Sequence, residues 1–263
     1  MRHMRIGVVQ MMPHLGDASA NIAAMRGFME RAAAEGCDLA CFPEACITGY
    51  STAQASEVAL AADDARLSEL EGCAYELGIA VSYGYIERYD GELHIAHVVS
   101  GREGHLVYRK THLGSRERGV FAMGNELPVA VVDGVCVGVQ LCWEANIPDI
   151  TTVYRTKGAE LVLMPYASGA SGARRRETWE RVLPARASDN GIYVAACNLL
   201  GKSGGGGIAV FDPKGRVLAS HYEPGEALVV CDFFSELPRN GSGDDMHNIS
   251  YFDRRRPELY GAL

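Results

Sequence analysis

Hydrophobic and polar positions along this 263-residue chain follow two alternating rhythms. Short runs of β-branched and apolar residues predict strands at 5–10, 38–42, 80–86, 94–100 and 129–132. Further strands are predicted at 135–142, 161–164, 192–198, 208–211 and 227–232. Apolar residues three and four apart predict helices at 18–35, 65–77, 147–157 and 177–190. Tight turns at Tyr89-Asp90-Gly91 and Asp212-Pro213-Lys214-Gly215 join some strands directly, while helices separate others, so mixed sheets are expected. The pattern is α/β, with helices layered outside sheets.

One segment repeats. Asp38-Leu39-Ala40-Cys41-Phe42-Pro43-Glu44-Ala45 is echoed by Glu160-Leu161-Val162-Leu163-Met164-Pro165-Tyr166-Ala167. Each copy follows a glycine, Gly36 or Gly158, of the kind that closes a helix. Each reads as a buried strand stopped by proline, which cannot donate to a ladder. Two similar halves facing each other are expected. No proline-rich or serine-rich linker divides them, so a single domain over 4–263 is expected, with the polar stretch 235–248 its least ordered part.

Composition narrows the function. The chain is 48% hydrophobic and 22% charged, the make-up of an ordinary globular protein. A net charge of −8 disfavours nucleic acid or an anionic membrane as partner. No apolar run approaches the roughly 20 residues of a membrane span. Met1-Arg2-His3-Met4 is followed by no signal-peptide core, Met4 is a candidate native start, and no secretory leader is expected. The eight cysteines show neither disulfide-framework spacing nor a C-x-x-C pair, which points to a reducing, cytoplasmic compartment.

Four residues attract chemical attention. Glu44 ends a buried strand, where desolvation raises a carboxyl toward acid–base use; the ordinary alternative is a turn cap. Lys110, after Tyr108-Arg109, is either a solvated charge or a donor to developing negative charge. Glu117 is a surface charge or a partner for that lysine. Cys142 breaks an apolar strand into Trp143-Glu144-Ala145-Asn146-Ile147-Pro148, where a helix dipole would lower its pKa and expose it. Other patterns carry less. Ala196 to Ser203 misses a phosphate loop by one glycine and runs into Gly204–Gly207, not a helix. His94 and His97 point to opposite faces of a strand, so a shared metal is not expected. Asn248-Ile249-Ser250 is a glycosylation triplet without a leader.

Together Phe42-Pro43-Glu44, Tyr108-Arg109-Lys110 and Leu141-Cys142-Trp143-Glu144 resemble the three signatures of the nitrilase superfamily of carbon–nitrogen hydrolases. Val120-Phe121-x-x-Gly124, Ala185-Arg186-Ala187-x-Asp189-Asn190 and the tail Asp253-Arg254-Arg255-Arg256-Pro257-Glu258-Leu259-Tyr260 extend the resemblance nearly end to end. His94 and Asp189 stand where asparagine and glutamate are common, both taken as structural.

The resemblance implies an α-β-β-α four-layer sandwich that pairs into a homodimer or higher homo-oligomer. It implies a catalytic Glu44, Lys110 and Cys142, with Glu117 as a second carboxylate and the Trp143 backbone N–H in the oxyanion site. It implies no cofactor and no metal. Tyr50, Tyr166 and Arg174 are taken as substrate contacts, the last because Arg174-Arg175-Arg176 at a helix start could meet a distal acid on a small linear amide. An amidase is favoured. A nitrilase or an N-carbamoyl amide hydrolase would use the same residues, and a non-catalytic binding scaffold is the remaining alternative.

Overall fold

A computed structural model describes residues 2–170, 172–201, 204–235 and 252–260. Its first half runs β1 (Arg2–Gln10), α1 (Ala18–Ala34), β2 (Leu39–Cys41), α2 (Ala55–Val58), β3 (Leu60–Ala61), α3 (Ala65–Leu77), β4 (Ala80–Tyr89), β5 (Glu92–Ser100) and β6 (His105–Arg109). The second runs β7 (Val129–Val132), β8 (Val135–Val139), α4 (Pro148–Thr156), β9 (Leu161–Tyr166), α5 (Gly172–Asn190) and β10 (Tyr193–Asn198). It closes with β11 (Leu200–Gly201), β12 (Gly204–Gly205), β13 (Ile208–Phe211), β14 (Val217–His221) and β15 (Ala227–Ser235).

Two mixed sheets form. One has the order β15-β1-β2-β4-β5-β6, with β3 on β4, and the other β14-β13-β10-β9-β8-β7. The centre of each is parallel, β1-β2-β4 and β8-β9-β10, and antiparallel strands flank both centres. The central strands are apolar on both faces because both faces are covered. In β1, Met4, Ile6 and Val8 join Val137, Val139, Leu161 and Leu163 in a core between the sheets. Val9 packs the other way, with Ile22, Met25 and Phe28 of α1 and Leu67 and Leu70 of α3. On the far side, Val162, Met164 and Val194 pack with Tyr154 of α4 and Trp179 and Leu183 of α5. The layers are therefore α-β-β-α in one domain, as the resemblance implied. The echoed halves do face one another: Cys41 Sγ of β2 lies 3.9 Å from Cys197 Sγ of β10.

Several boundaries differ from expectation, each for a local reason. Strand β1 starts at Arg2, and its Met4 is fully buried, because β15 extends to pair with it. Pro165 does not stop β9. Leu163 accepts from Gln140 N, so alternate residues 161, 163 and 165 face β8, whose pairing ends at Val139–Leu163. The missing N–H of Pro165 therefore faces a side with no ladder to join. Strand β8 ends at Val139, and Cys142 opens a 3-10 turn, Cys142–Asn146, before α4. Helix α5 starts at Gly172, five residues before the predicted 177, because its first turn is arginine-rich and hides the apolar period. The interior Pro184 is accommodated. The pairing of β11 with β12 makes the glycine-rich segment a short hairpin, whose Lys202 and Ser203 lie outside the described residues. So do 236–251, including the triplet at 248–250, whereas the tail contributes two 3-10 turns, Phe252–Arg254 and Pro257–Leu259.

Candidate active site

Glu44 is delivered by β2. The strand stops at Cys41, and the chain turns through Ala45 at φ +53°. That turn presses on Gly84 of β4, where a Cβ would come within 2.5 Å of Ala45 N and 3.1 Å of the Glu44 carbonyl carbon. Only glycine leaves the space. Lys110 follows β6, its N–H bonded to Ile95 O at 2.9 Å and its carbonyl accepting from Gly124 N at 2.9 Å. The Lys110 side chain is fully buried, with Nζ 3.0 Å from Glu44 Oε1 and 2.7 Å from Glu117 Oε1. Glu117 also accepts from Tyr50 OH at 2.8 Å and from Gly114 N at 2.6 Å. Glu44 Oε2 is buried and has no hydrogen-bond partner among the described residues.

Cys142 comes from the opposite sheet. Its φ of +48° lies in the left-handed region, which costs a non-glycine residue roughly 1–2 kcal/mol. Glu144 holds it there. This buried carboxylate accepts from Leu141 N at 2.8 Å, just before the cysteine. It also accepts from Tyr108 OH at 2.7 Å, Thr111 N at 2.9 Å, Thr111 Oγ1 at 2.8 Å and His112 N at 2.9 Å. One side chain thus ties the cysteine turn of the second sheet to the lysine segment of the first. Arg186 Nε donates to Ala145 O at 2.8 Å and steadies the same turn. Glu144 was legible only as the last letter of a motif; an acid two residues past a buried strand was the available signal.

The electrostatics correct one expectation. Cys142 is the first residue of a five-residue 3-10 turn that precedes α4, so the thiol is not at that helix's N-terminus. Burial, with Glu44 adding to it, pushes the thiol up to about 12, against the pull of Lys110 and Arg175. Burial thus favours the thiol over the thiolate. Burial also raises Glu44 above the ordinary carboxylate range, opposed by Lys110 and aided by Glu117. For Lys110, burial favours the neutral amine, but Glu44, Cys142 and Glu117 outweigh it and hold the ammonium well above the usual lysine range. The site therefore carries a fixed cation, and a carboxyl whose proton affinity has moved toward neutrality.

Two cavities open beside these groups. One, of about 190 Å³, is lined by Cys142, Trp143, Tyr166, Arg175 and Trp179. The other, of about 700 Å³, is lined by Leu15, Tyr50, Ala167, Ser168, Leu199 and Gly201. Asn198 shapes the wall, accepting from Ser168 N at 2.8 Å and donating to Ser168 O at 2.8 Å. Tyr50 and Tyr166 thus face cavities, and the Trp143 side chain is half-exposed while its N–H begins the 3-10 turn. Arg174 lines neither of these two cavities: it is exposed, and the next residue on α5, Arg175, is the one turned inward. A helix rotates about 100° per residue, so a cluster of three arginines can send only part of itself to one face. His97 bonds Ser82 Oγ at 2.7 Å within β5's buried face, and no metal-holding cluster of His, Cys, Asp and Glu occurs among the described residues.

A family model described as carbon-nitrogen hydrolase matches residues 5–233. The chain belongs to this family. Among relatives of this carbon–nitrogen hydrolase, an (R)-stereoselective amidase of Pseudomonas sp is 30% identical over 82% of this chain and 80% of its own length. A nitrilase of Pyrococcus abyssi is 28% identical over 98% of this chain and 99% of its own. The fold is also that of a solved amidase mutant from Nesterenkonia sp. AN1, with TM-score 0.80, 27% identity and coverage of 98% of this chain and 95% of that one. That structure shows covalent addition of the acetamide moiety of fluoroacetamide at its active-site cysteine.

Proposed function

We propose that this carbon–nitrogen hydrolase is an amidase that releases ammonia from small linear amides through a Cys142 thioester. The observation that carries the reading is the Lys110 ammonium fixed between two buried carboxylates, Glu44 and Glu117, at a site whose Cys142 thiol responds to the charges of both Lys110 and Glu44. Substrate enters with its carbonyl carbon at Cys142 Sγ. Glu44 takes the thiol proton as the S–C bond forms, so a thiol near pKa 12 becomes a nucleophile only in the presence of substrate. The carbonyl oxygen becomes an oxyanion, met by Lys110 Nζ and the Trp143 N–H. Collapse of this intermediate breaks the C–N bond, and the Glu44 proton leaves with ammonia. Water then gives a proton to Glu44 and attacks the thioester; its collapse frees the carboxylic acid, and the proton returns to sulfur. Glu117 holds Lys110 in place and charged.

The amidase relatives support the amide substrate, and the cysteine adduct in one of them supports the covalent route. The coexistence of Glu44, Lys110, Glu117 and Cys142 argues against a silent scaffold. No helix among the described residues is long and apolar enough to cross a membrane. We take the working form to be a cytoplasmic homodimer, a reading supported by eight free cysteines and by the family resemblance, with sedimentation as its test. Ammonia release from short amides, N-carbamoyl amines and nitriles, by wild type and Cys142→Ala, tests the chemistry. Release from amides by wild type alone is expected; release only from nitriles or carbamoyl compounds would replace the amidase reading.

A further inference from the structure

Arg175 is a guanidinium only 4% exposed, on the wall of the cavity that Cys142 lines. Buried cations normally sit against a carboxylate, because an unpaired charge out of water is costly. Among the described residues none pairs with Arg175. The hydrogen bond it makes among those residues is a long 3.4 Å contact from Nη2 to Ser168 O, and its buried Nε has no partner among them. Tyr166 and Trp179 flank it, each ring centroid 5.3 Å away, and fix its plane without neutralising it. Burial accordingly lowers the guanidinium from its ordinary value. Its neighbour Arg176 differs in kind: it is exposed and bonds Glu180 at 2.8 Å. The backbone also makes room. Gly207, at φ +123°, occupies a place where a Cβ would come within 2.8 Å of Arg175 Cγ.

We infer that Arg175 binds a carboxylate at the far end of the substrate, so that the preferred substrates are monoamides of short dicarboxylic acids. The inference rests on the amidase reading above and names its substrate class. A planar guanidinium matches a carboxylate with two parallel hydrogen bonds. The cavity of about 190 Å³ has both Cys142 and Arg175 on its wall, so a short substrate can span from the thiol to the guanidinium.

The test compares kcat/KM for the monoamide of pentanedioic acid with that for pentanamide, in wild type, Arg175→Lys and Arg175→Met. Calorimetry of pentanedioate binding to Cys142→Ala, with and without Arg175→Met, accompanies it. Wild type is expected to prefer the acid. Arg175→Met is expected to reduce the acid-to-neutral ratio roughly 10- to 150-fold, the range of a charged hydrogen bond, chiefly through KM. Arg175→Lys, which keeps the charge but not the fork, falls between. A wild type without preference for the acid overturns the inference, as does equal loss on both substrates in Arg175→Met, which would mark a structural role. Turnover of neutral amides alone leaves the amidase reading standing and removes the carboxylate. No turnover of any amide, with pentanedioate binding still dependent on Arg175, keeps the subsite and removes the amidase reading.

Discussion

At the scale of single residues, the site is one buried cation shared among buried acids. Lys110 cannot neutralise Glu44 and Glu117 together, and burial adds its own penalty on charge. Glu44, whose second oxygen is unpartnered among the described residues, takes the consequence as a raised pKa. A base must be deprotonated to act. The acid limb of kcat/KM is therefore expected above the value of about 4.3 for an ordinary glutamate. Glu117→Gln removes a negative neighbour that raises Glu44, so its acid limb moves to lower pH; a limb that stays or rises would assign the titration elsewhere. Because the Lys110 ammonium and the Cys142 thiol both hold their protons well into alkali, neither sets a limb near neutrality. Glu44→Gln should cost on the order of 10²–10⁴ in kcat with substrate binding retained, as steady-state kinetics would read it.

At the scale of elements, the unit that matters is the pair of turns held by Glu144. Five donors from Leu141, Tyr108, Thr111 and His112 converge on that carboxylate, so it fixes the cysteine turn and the lysine segment together. Glu144→Ala leaves these donors, those of Leu141 and Tyr108 fully buried, unmatched and should cost about 3–5 kcal/mol in urea unfolding. A loss below about 1 kcal/mol would mean that the turns hold themselves. The sequence motif made Cys142 visible and left Glu144 obscure, because its importance lies in donors from another part of the chain. Arg175 was obscured differently. Three adjacent arginines carry no apolar period, so nothing in them says which faces inward until α5 is known to start at Gly172. Pro165 misled for a third reason: whether a missing N–H matters depends on where the neighbouring strand ends.

At the scale of the whole molecule, the site is a product of two sheets packed face to face. Glu44 and Lys110 belong to the first sheet, Cys142 to the second, and the apolar layer between the sheets, together with the Glu144 tie, sets their separation. That layer was legible early, since its strands are apolar runs punctuated by glycine and proline, and so was the grouping of Glu44, Lys110 and Cys142 as one constellation. Leu163 stands in the layer, fully buried. Leu163→Ala should destabilise the fold by about 2–5 kcal/mol, measurable by thermal or urea unfolding. An effect well under 1 kcal/mol would mean that the sheets do not rely on this contact.

In the proposed mechanism, carbon–nitrogen bond cleavage passes through sulfur at Cys142. Acid-quenched mass spectrometry of the protein during turnover of a short amide tests it most directly. The predicted result is the acyl mass of the substrate on the peptide bearing Cys142 in wild type, and neither adduct nor ammonia from Cys142→Ala. Ammonia release by Cys142→Ala at the wild-type rate, or an acyl group on another residue, would contradict it.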